Sequence, residues 1–238
     1  MDGATWHELY RSDLSSLYAL MALPALFLVY LATRGRSRAA RSADPQARFV
    51  TLWSVAFALE TILDPVATGP LSRALSLSDT AQTLVLVPFV LLGDWRVLLL
   101  VFALATGPGG RAAAFARSGA LSLAVPILAV ATNALLRLRF PDLPGQVLWL
   151  VYEVAFLALA LGLRAFALPR LAAGAPAKVR RVLRAVLALA ATYYALWALA
   201  DVLILAGIDA GWALRMLPNL LYYAVTVPFV FFAYFGWD

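Results

Sequence analysis

The chain has 238 residues, of which 63% are hydrophobic and 13% charged, and its mean hydropathy is +0.85. Soluble domains are closer to half apolar and a quarter charged, so this composition excludes an ordinary soluble fold and predicts one polytopic membrane domain over residues 1–238. The formal net charge of +6 comes from eighteen arginines and a single lysine. Because no basic loop carries interleaved aromatic residues, nucleic acid is excluded as a partner and the arginines are expected to set topology.

The counts of cysteine and histidine limit the possible chemistry. The chain contains no cysteine, and its one histidine, His7, precedes the first apolar stretch. These counts exclude disulfides, thiol catalysis, Cys/His zinc sites and a Ser-His-Asp triad. We therefore expect no metal and no other cofactor, and any chemistry inside the membrane must use the remaining polar side chains.

Seven apolar stretches are long enough to cross a bilayer, since about 20 helical residues span the hydrocarbon core. The N-terminus carries Asp2, Glu8 and Asp13 and no early basic cluster, so the first stretch is predicted to be an uncleaved helix. The predicted fold class is all-α integral membrane, with spans at 14–33, 49–69, 82–105, 115–136, 147–168, 182–206 and 213–235.

Segments rich in proline, glycine or arginine separate these spans. The segment from Asp64-Pro65 to Gly69-Pro70 is expected to end the second span, because the residue before a proline avoids helical dihedrals. Residues 34–48 form a basic loop, and 107–110 form a tight turn. A longer basic linker is expected at 169–178, between the fifth and sixth spans.

The distribution of basic residues predicts the orientation. The loops after the first, third and fifth spans hold thirteen Lys and Arg residues, and the opposite side holds five. By the positive-inside rule, the N-terminus is outside and the C-terminus inside. The Ala-, Leu- and Arg-rich composition with almost no lysine indicates a bacterial inner membrane.

The chain matches itself at an offset of 140 residues. Residues 87–90 repeat identically at 227–230, and Phe57-Ala58-Leu59 falls on Trp197-Ala198-Leu199. Each unit has three spans, an odd number, so a second unit that followed directly would be inverted in the membrane. The fourth span crosses the membrane once more and restores the orientation, so the two repeats are predicted to be parallel. The predicted units are a first repeat at about 14–105, a linker helix at 115–136 and a second repeat at about 147–235.

Seven spans in a three-plus-one-plus-three order, with Pro24 and Pro65 in the first two, resemble the architecture of SWEET and PQ-loop transporters. The topology is more remotely similar to that of microbial rhodopsins. The resemblance covers the whole chain as topology and implies a solute site between the repeats. Lys178 lies in a loop and the last span has no lysine, so a covalent retinal Schiff base is excluded.

Charged side chains inside the third span are the leading candidates for function. Asp94 and Arg96 lie near its middle, where a charge costs on the order of 2.5–3.5 kcal/mol. Two residues apart on a helix, they point about 200° apart and are not expected to pair. Asp94 lines a polar interior or forms a structural ion pair with an arginine of a neighbouring helix. In the second span Glu60 shares a face with Asp64, which is interpreted as the helix end.

Three later spans combine polar and aromatic residues on one face, in the outer half of the membrane by this topology. Aromatic walls with a few convergent polar groups are typical of a small-molecule pocket, although an aromatic belt explains residues such as Trp149 and Trp237. The predicted solute- or ion-binding residues are Glu60, Asp94, Arg96, Glu153, Trp197, Asp201, Asn219 and Tyr222.

Three functions remain open at this stage. The favoured one is a small-solute or proton-coupled transporter or channel, in which Asp94 or Glu60 titrates as one side opens. The second is a ligand-binding receptor or sensor, and the third is an intramembrane lipid or isoprenoid enzyme that pairs Glu60 with Asp94 or Asp201. Membrane lipids and a small solute or proton are the expected partners, and a homo-oligomer is compatible with the sequence.

Overall fold

The computed structural model describes residues 5–35 and 44–236. Within these ranges all regular structure is helical, and seven helices are long and apolar enough to cross a membrane, which confirms the predicted number of spans. A short helix, α1 (Trp6–Arg11), precedes them. The membrane helices α2 to α8 are Leu14–Gly35, Pro45–Ala74, Asp79–Thr106, Pro108–Arg139, Gln146–Leu171, Ala177–Leu205 and Ala210–Phe235.

Several residues used in the topology argument are not covered by this description. Arg36, Arg38 and Arg41 of the first basic loop, and Trp237 of the aromatic belt, lie outside the described residues. The orientation with the N-terminus outside stays a prediction.

The second span does not end at Pro65, so that part of the sequence prediction is wrong. Helix α3 continues to Ala74 through a π-helical turn. A proline lacks the N–H that would bond the preceding turn. The hydroxyl of Thr68 donates to the carbonyl oxygen of Asp64 at 2.8 Å, and Ser72 donates in the same way within the π turn. A local π-helical adjustment such as this one is one way in which membrane helices tolerate proline.

The predicted linker at 169–178 is also too long. Helix α6 runs past Pro169 to Leu171, and α7 begins at Ala177. Pro169 lies in the first turn of a helical segment that follows a π-helical turn, where a missing N–H is tolerated. The tight turn at 107–110 is present, and Gly107 adopts φ 71° there, a conformation that favours glycine.

The membrane helices pack as a ring in chain order. Each of α2 to α8 contacts the next, and α2 closes the ring against α8. Among the described residues, three contacts cross the bundle: α3 with α8, α4 with α7, and α4 with the C-terminal end of α6. Helices α3, α4, α7 and α8 therefore form the interior.

The half of the bundle next to the C-terminal end of α8 is filled with apolar side chains. At that end the Tyr234 hydroxyl donates to Asp44, which caps α3, and Gln46 Nε2 donates to Leu104 O at 3.2 Å. These contacts close this end of the described bundle. Its fully buried apolar residues include Val50, Leu100, Leu104, Leu183, Val186, Leu187, Val227, Val230 and Phe231.

Gly211 allows α8 to approach α7 closely, which generates a stability prediction. A Cβ at this position would lie 2.9 Å from the carbonyl oxygen of Ala200 and 2.8 Å from Ile204 Cγ1. We expect Gly211→Ala to lower the melting temperature of the detergent-solubilised protein, because backbone atoms of α7 must shift.

The matched control is Gly162→Ala in α6, where an added Cβ would meet nothing within 4 Å. Alanine is favoured over glycine in a helix by roughly 0.5–1 kcal/mol, so this variant should melt at the same temperature or slightly higher. Equal melting temperatures for the two variants would contradict the close approach.

Candidate functional site

A cavity of about 400 Å³ lies in the half of the bundle next to α1, and we call it the N-side cavity. It is lined by residues of α1 and of every membrane helix except α5. Exposed Arg11 and Ser16 line it, so it reaches the protein surface beside α1. Its volume lies within the usual range for small-molecule sites, about 300–1,000 Å³. The aromatic residues in its walls are Tyr10, Trp149, Tyr152, Tyr194, Trp197, Tyr222 and Tyr223.

Asp94 lines this cavity and joins three helices. Its carboxylate accepts hydrogen bonds from the hydroxyls of Tyr152 in α6 and Tyr194 in α7. The residue is only 4% exposed, and a buried carboxylate needs such donors to replace water. The sequence left open an ion pair with an arginine of a neighbouring helix, but the hydrogen-bond partners of Asp94 are tyrosines.

Arg96 points away from Asp94 into the contact between α3 and α8, as its position two residues further along the helix predicts. Its side chain has no solvent exposure. Nη1 lies 3.5 Å from Glu60 Oε2 and 3.1 Å from the hydroxyl of Thr61, and Nη2 donates to the carbonyl oxygen of Tyr222 at 2.5 Å. One guanidinium therefore ties α4 to both α3 and α8.

The carbonyl that Arg96 uses is available because α8 contains a π-helical turn, Leu220–Val225. At its end the N–H of Thr226 donates to Leu221 O, five residues back. Where the backbone hydrogen bonds of the helix return from a five-residue to a four-residue spacing, one carbonyl oxygen is left without a backbone donor. Arg96 supplies a donor for Tyr222 O, and its Cζ lies 4.1 Å from the centre of the Tyr222 ring, in cation–π geometry.

Gly93 leaves the space that the Tyr222 side chain occupies. A Cβ at residue 93 would overlap the Tyr222 hydroxyl and lie 2.8 Å from its Cζ. The aromatic wall on this side of the cavity therefore depends on a glycine in α4, one residue before Asp94.

A second charged group lies around Arg215 at the start of α8. Arg215 forms an ion pair with Asp201, and its Nη2 lies 3.5 Å from Glu153 Oε1. Asp201 also accepts a hydrogen bond from Gln146 Nε2 at 2.7 Å. This group links α6, α7 and α8, and Arg215 Nε donates to the Tyr10 hydroxyl of α1 at 3.3 Å.

Arg215 is not among the predicted site residues, because its charge was counted only toward the topology. Its spacing from two predicted site residues could have identified it. Arg215, Asn219 and Tyr222 are separated by four and three residues and share one helix face. Arg215 and Asn219 both line the cavity, and Asn219 Oδ1 accepts a hydrogen bond from the Trp197 indole at 2.8 Å.

The predicted site residues divide into two groups in the structure. Asp94, Glu153, Trp197, Asn219 and Tyr222 line the N-side cavity. The other three are buried but do not line it: Glu60, Arg96 and Asp201.

Asp64, which the sequence analysis interpreted as the end of a helix, lines the cavity instead. Its Oδ2 accepts a hydrogen bond from Tyr223 at 2.8 Å. That interpretation was wrong because the helix continues, which turns Asp64 inward as part of a regular helix face.

Buried carboxylates outnumber buried guanidiniums around the cavity. Among the described residues, five buried carboxylates accompany the fully buried guanidinium of Arg96 and that of Arg215, whose side chain is 11% exposed. In a low-dielectric interior such an excess is stable only with bound protons or cations. The five buried carboxylates are Glu60, Asp64, Asp94, Glu153 and Asp201.

No protein family, characterised protein or solved structure matches this chain. The seven apolar helices define it as a multi-pass membrane protein.

The pair of Arg96 and Glu60 generates a stability prediction. Removing one partner of a buried ion pair typically costs about 3–5 kcal/mol, because the other charge is left uncompensated. We expect Arg96→Met and Glu60→Gln each to lower the melting temperature in detergent clearly. The double variant should lose less than the sum of the two, because no unpaired charge remains. Strictly additive losses would contradict a direct coupling between these side chains.

Proposed function

We propose that this protein is a transporter or channel for a small solute and that the N-side cavity is its solute site. The observation that carries the proposal is the cavity itself, which combines aromatic walls with buried carboxylates inside a bundle of seven membrane helices. The opposite half of the bundle is filled with apolar side chains. A site open toward one side and closed toward the other is one of the states that alternating access requires.

The parallel repeat and the orientation belong to the same proposal. If α2–α4 correspond to α6–α8, then α3 corresponds to α7 and α4 corresponds to α8. The contact between α3 and α8 then corresponds to the contact between α7 and α4, and both contacts occur. This correspondence supports two related halves, at about 14–105 and 147–235, joined by the linker helix at 115–136. With the N-terminus outside, as the basic loops predict, the cavity would face outward.

Asp94 is the residue that we expect to act as the gate. A second cavity of about 10 Å³, close to the space of one water molecule, lies between α4, α6 and α7. Asp94 and Tyr194 line both cavities and separate them, while Phe156 and Leu187 line only the smaller one. Release of Tyr194 from Asp94 would join the two spaces and extend the path toward the apolar half.

Proton coupling follows from the same hydrogen bonds. An ionised carboxylate accepts stronger hydrogen bonds than a neutral one, so a proton on Asp94 would loosen Tyr152 and Tyr194. Binding of a proton would in this way favour opening of the gate between α4, α6 and α7.

The irregular turns of the helices support a structure that changes shape. Helices α2, α3, α6 and α8 each contain at least one π-helical turn. Such turns often occur at functional sites and allow a helix to bend. The one in α8 carries Tyr222 and Tyr223 into the cavity wall, so movement there would reshape the solute site.

A receptor or sensor is the second candidate, and a specific contact favours it. Helix α1 lies at the mouth, where the N–H groups of Trp6 and His7 donate to Asp209 and the His7 ring stacks on Trp212 at 4.3 Å. A short helix that covers the mouth of the cavity, as α1 does, would also suit a protein that only binds its ligand. Copurification of a stoichiometric ligand without any flux would favour this candidate. The enzyme hypothesis loses support, because Glu60 is held by Arg96 and does not line the cavity.

Asp94→Asn tests the proposed function. Asparagine keeps the size of the side chain but cannot carry a negative charge or exchange the proton. In proteoliposomes with an imposed pH gradient and an entrapped pH-sensitive dye, we expect the wild-type protein to pass protons and Asp94→Asn to lose at least tenfold in rate.

Asp142→Asn is the matched control, because Asp142 is exposed in the loop between α5 and α6 and does not line the cavity. It should keep the wild-type rate. Melting temperature and elution volume show whether Asp94→Asn has folded, and Tyr194→Phe supplies a milder second variant at the same gate. Wild-type flux in a folded Asp94→Asn protein, or no flux in the wild type, would contradict proton coupling through Asp94.

A further inference from the structure

The chemistry of the N-side cavity indicates the class of its solute. We propose that it binds a small organic cation, an amine or a quaternary ammonium, with the charge against the cavity carboxylates and the body against the aromatic rings. This inference rests on the proposed solute site and adds the chemical class of the ligand.

The charges in the wall favour a cation. Three carboxylates, those of Asp64, Asp94 and Glu153, line the cavity. Arg215 also lines it, but this guanidinium is already paired with Asp201 and Glu153. Arg11 adds a positive charge only at the exposed mouth. An anionic solute would therefore meet carboxylates in the interior without an unpaired cation, whereas an organic cation would take the place of the protons or cations that this excess of carboxylates requires.

One buried acceptor in the wall is unused. Glu153 is 3% exposed and lines the cavity, and its Oε2 has no hydrogen-bond partner among the described residues. A buried oxygen without a donor is rare in folded proteins, so a water molecule or a ligand that enters the cavity is expected to supply one. The N–H of an ammonium ligand, or the polarised methyl groups of a quaternary one, would satisfy it beside the existing contact with Arg215.

The rings around the cavity are held in place before any ligand arrives. The hydroxyls of Tyr152 and Tyr194 donate to Asp94, and the Trp197 indole donates to Asn219. The ring centres of Trp197 and Tyr222 are 5.1 Å apart and tilted by 60°. Aromatic faces attract cations, and fixed rings lose little entropy on binding.

The same walls favour an organic cation over a metal ion. Hard metal ions such as Ca²⁺ take six to eight oxygen ligands, and aromatic rings do not replace them. The ring of Tyr222 already holds one organic cation, the guanidinium of Arg96, whose Cζ lies 4.1 Å from the ring centre. A cavity of about 400 Å³ lies at the small end of the usual range and suits an ammonium group with one ring or a short chain.

The experiment measures binding to the full chain in detergent by isothermal titration calorimetry. The probe is benzyltrimethylammonium, compared with benzyl alcohol as a neutral ligand, phenylacetate as an anionic one, and calcium chloride. We expect saturable binding of benzyltrimethylammonium, with the other three at least tenfold weaker.

Substitutions then test whether the probe binds in the N-side cavity. Glu153→Gln and Trp197→Leu should each weaken binding of benzyltrimethylammonium at least tenfold. Trp197→Phe should weaken it less because a ring remains. Asp142→Asn, which removes an exposed carboxylate from the loop before α6, should leave the affinity unchanged. The two Trp197 variants keep the test decisive if Glu153→Gln does not fold.

Each other outcome overturns the inference. Equal binding of the neutral ligand would indicate a merely apolar pocket, and stronger binding of phenylacetate or calcium would assign another class of solute. The result also separates this inference from the proposed function. Proton flux without binding of the probe contradicts the cation site alone, and tight binding of the probe without any flux contradicts transport alone.

Discussion

A guanidinium with no solvent exposure in the middle of the bundle constrains the rest of this structure. Arg96 can exist there only if acceptors surround it, and they come from two neighbouring helices: Glu60 and Thr61 of α3, and the carbonyl oxygen of Tyr222 in α8. The carbonyl is available because α8 makes a π-helical turn at that level. The irregular turn that carries Tyr222 into the cavity wall therefore also supplies an acceptor for the buried cation.

Helix α4 uses its two faces for different tasks. Asp94 contacts the tyrosines of α6 and α7 at the N-side cavity, while Arg96 contacts α3 and α8. Because the two residues point about 200° apart, the helix keeps its cation and its anion in separate polar groups. The Arg96 group fixes the packing and leaves the carboxylate of Asp94 with partners that a proton would loosen.

Much of the fold was predictable because hydropathy needs no knowledge of tertiary contacts. Long apolar stretches alone predict seven membrane helices, and helix geometry alone predicts that Asp94 and Arg96 do not pair. The faces that combine Glu153, Trp197 and Asn219 with aromatic residues also converge on one cavity. The repeat and the orientation remain predictions.

The errors come from interactions between helices, which sequence patterns do not contain. Pro65 was expected to end a helix, but α3 continues through a π-helical turn to Ala74. That continuation changes Asp64 from a helix end into a cavity residue. The rotation of each helix about its own axis decides which of the other predicted side chains line the cavity. Glu60 lies against Arg96 and Asp201 lies against Arg215, so neither of these two carboxylates lines the cavity.

The central claim is that a hydrated cavity lies on one side of the bundle and a dry apolar core on the other. The chain has no cysteine, so single cysteines can be introduced directly. Asn219 lines the cavity, and Leu183 is fully buried in the apolar half. With a membrane-impermeant maleimide added to the side that carries the N-terminus, the account predicts rapid labelling of Asn219→Cys and none of Leu183→Cys. An unreactive Asn219→Cys protein, or equal labelling of both variants, would contradict it.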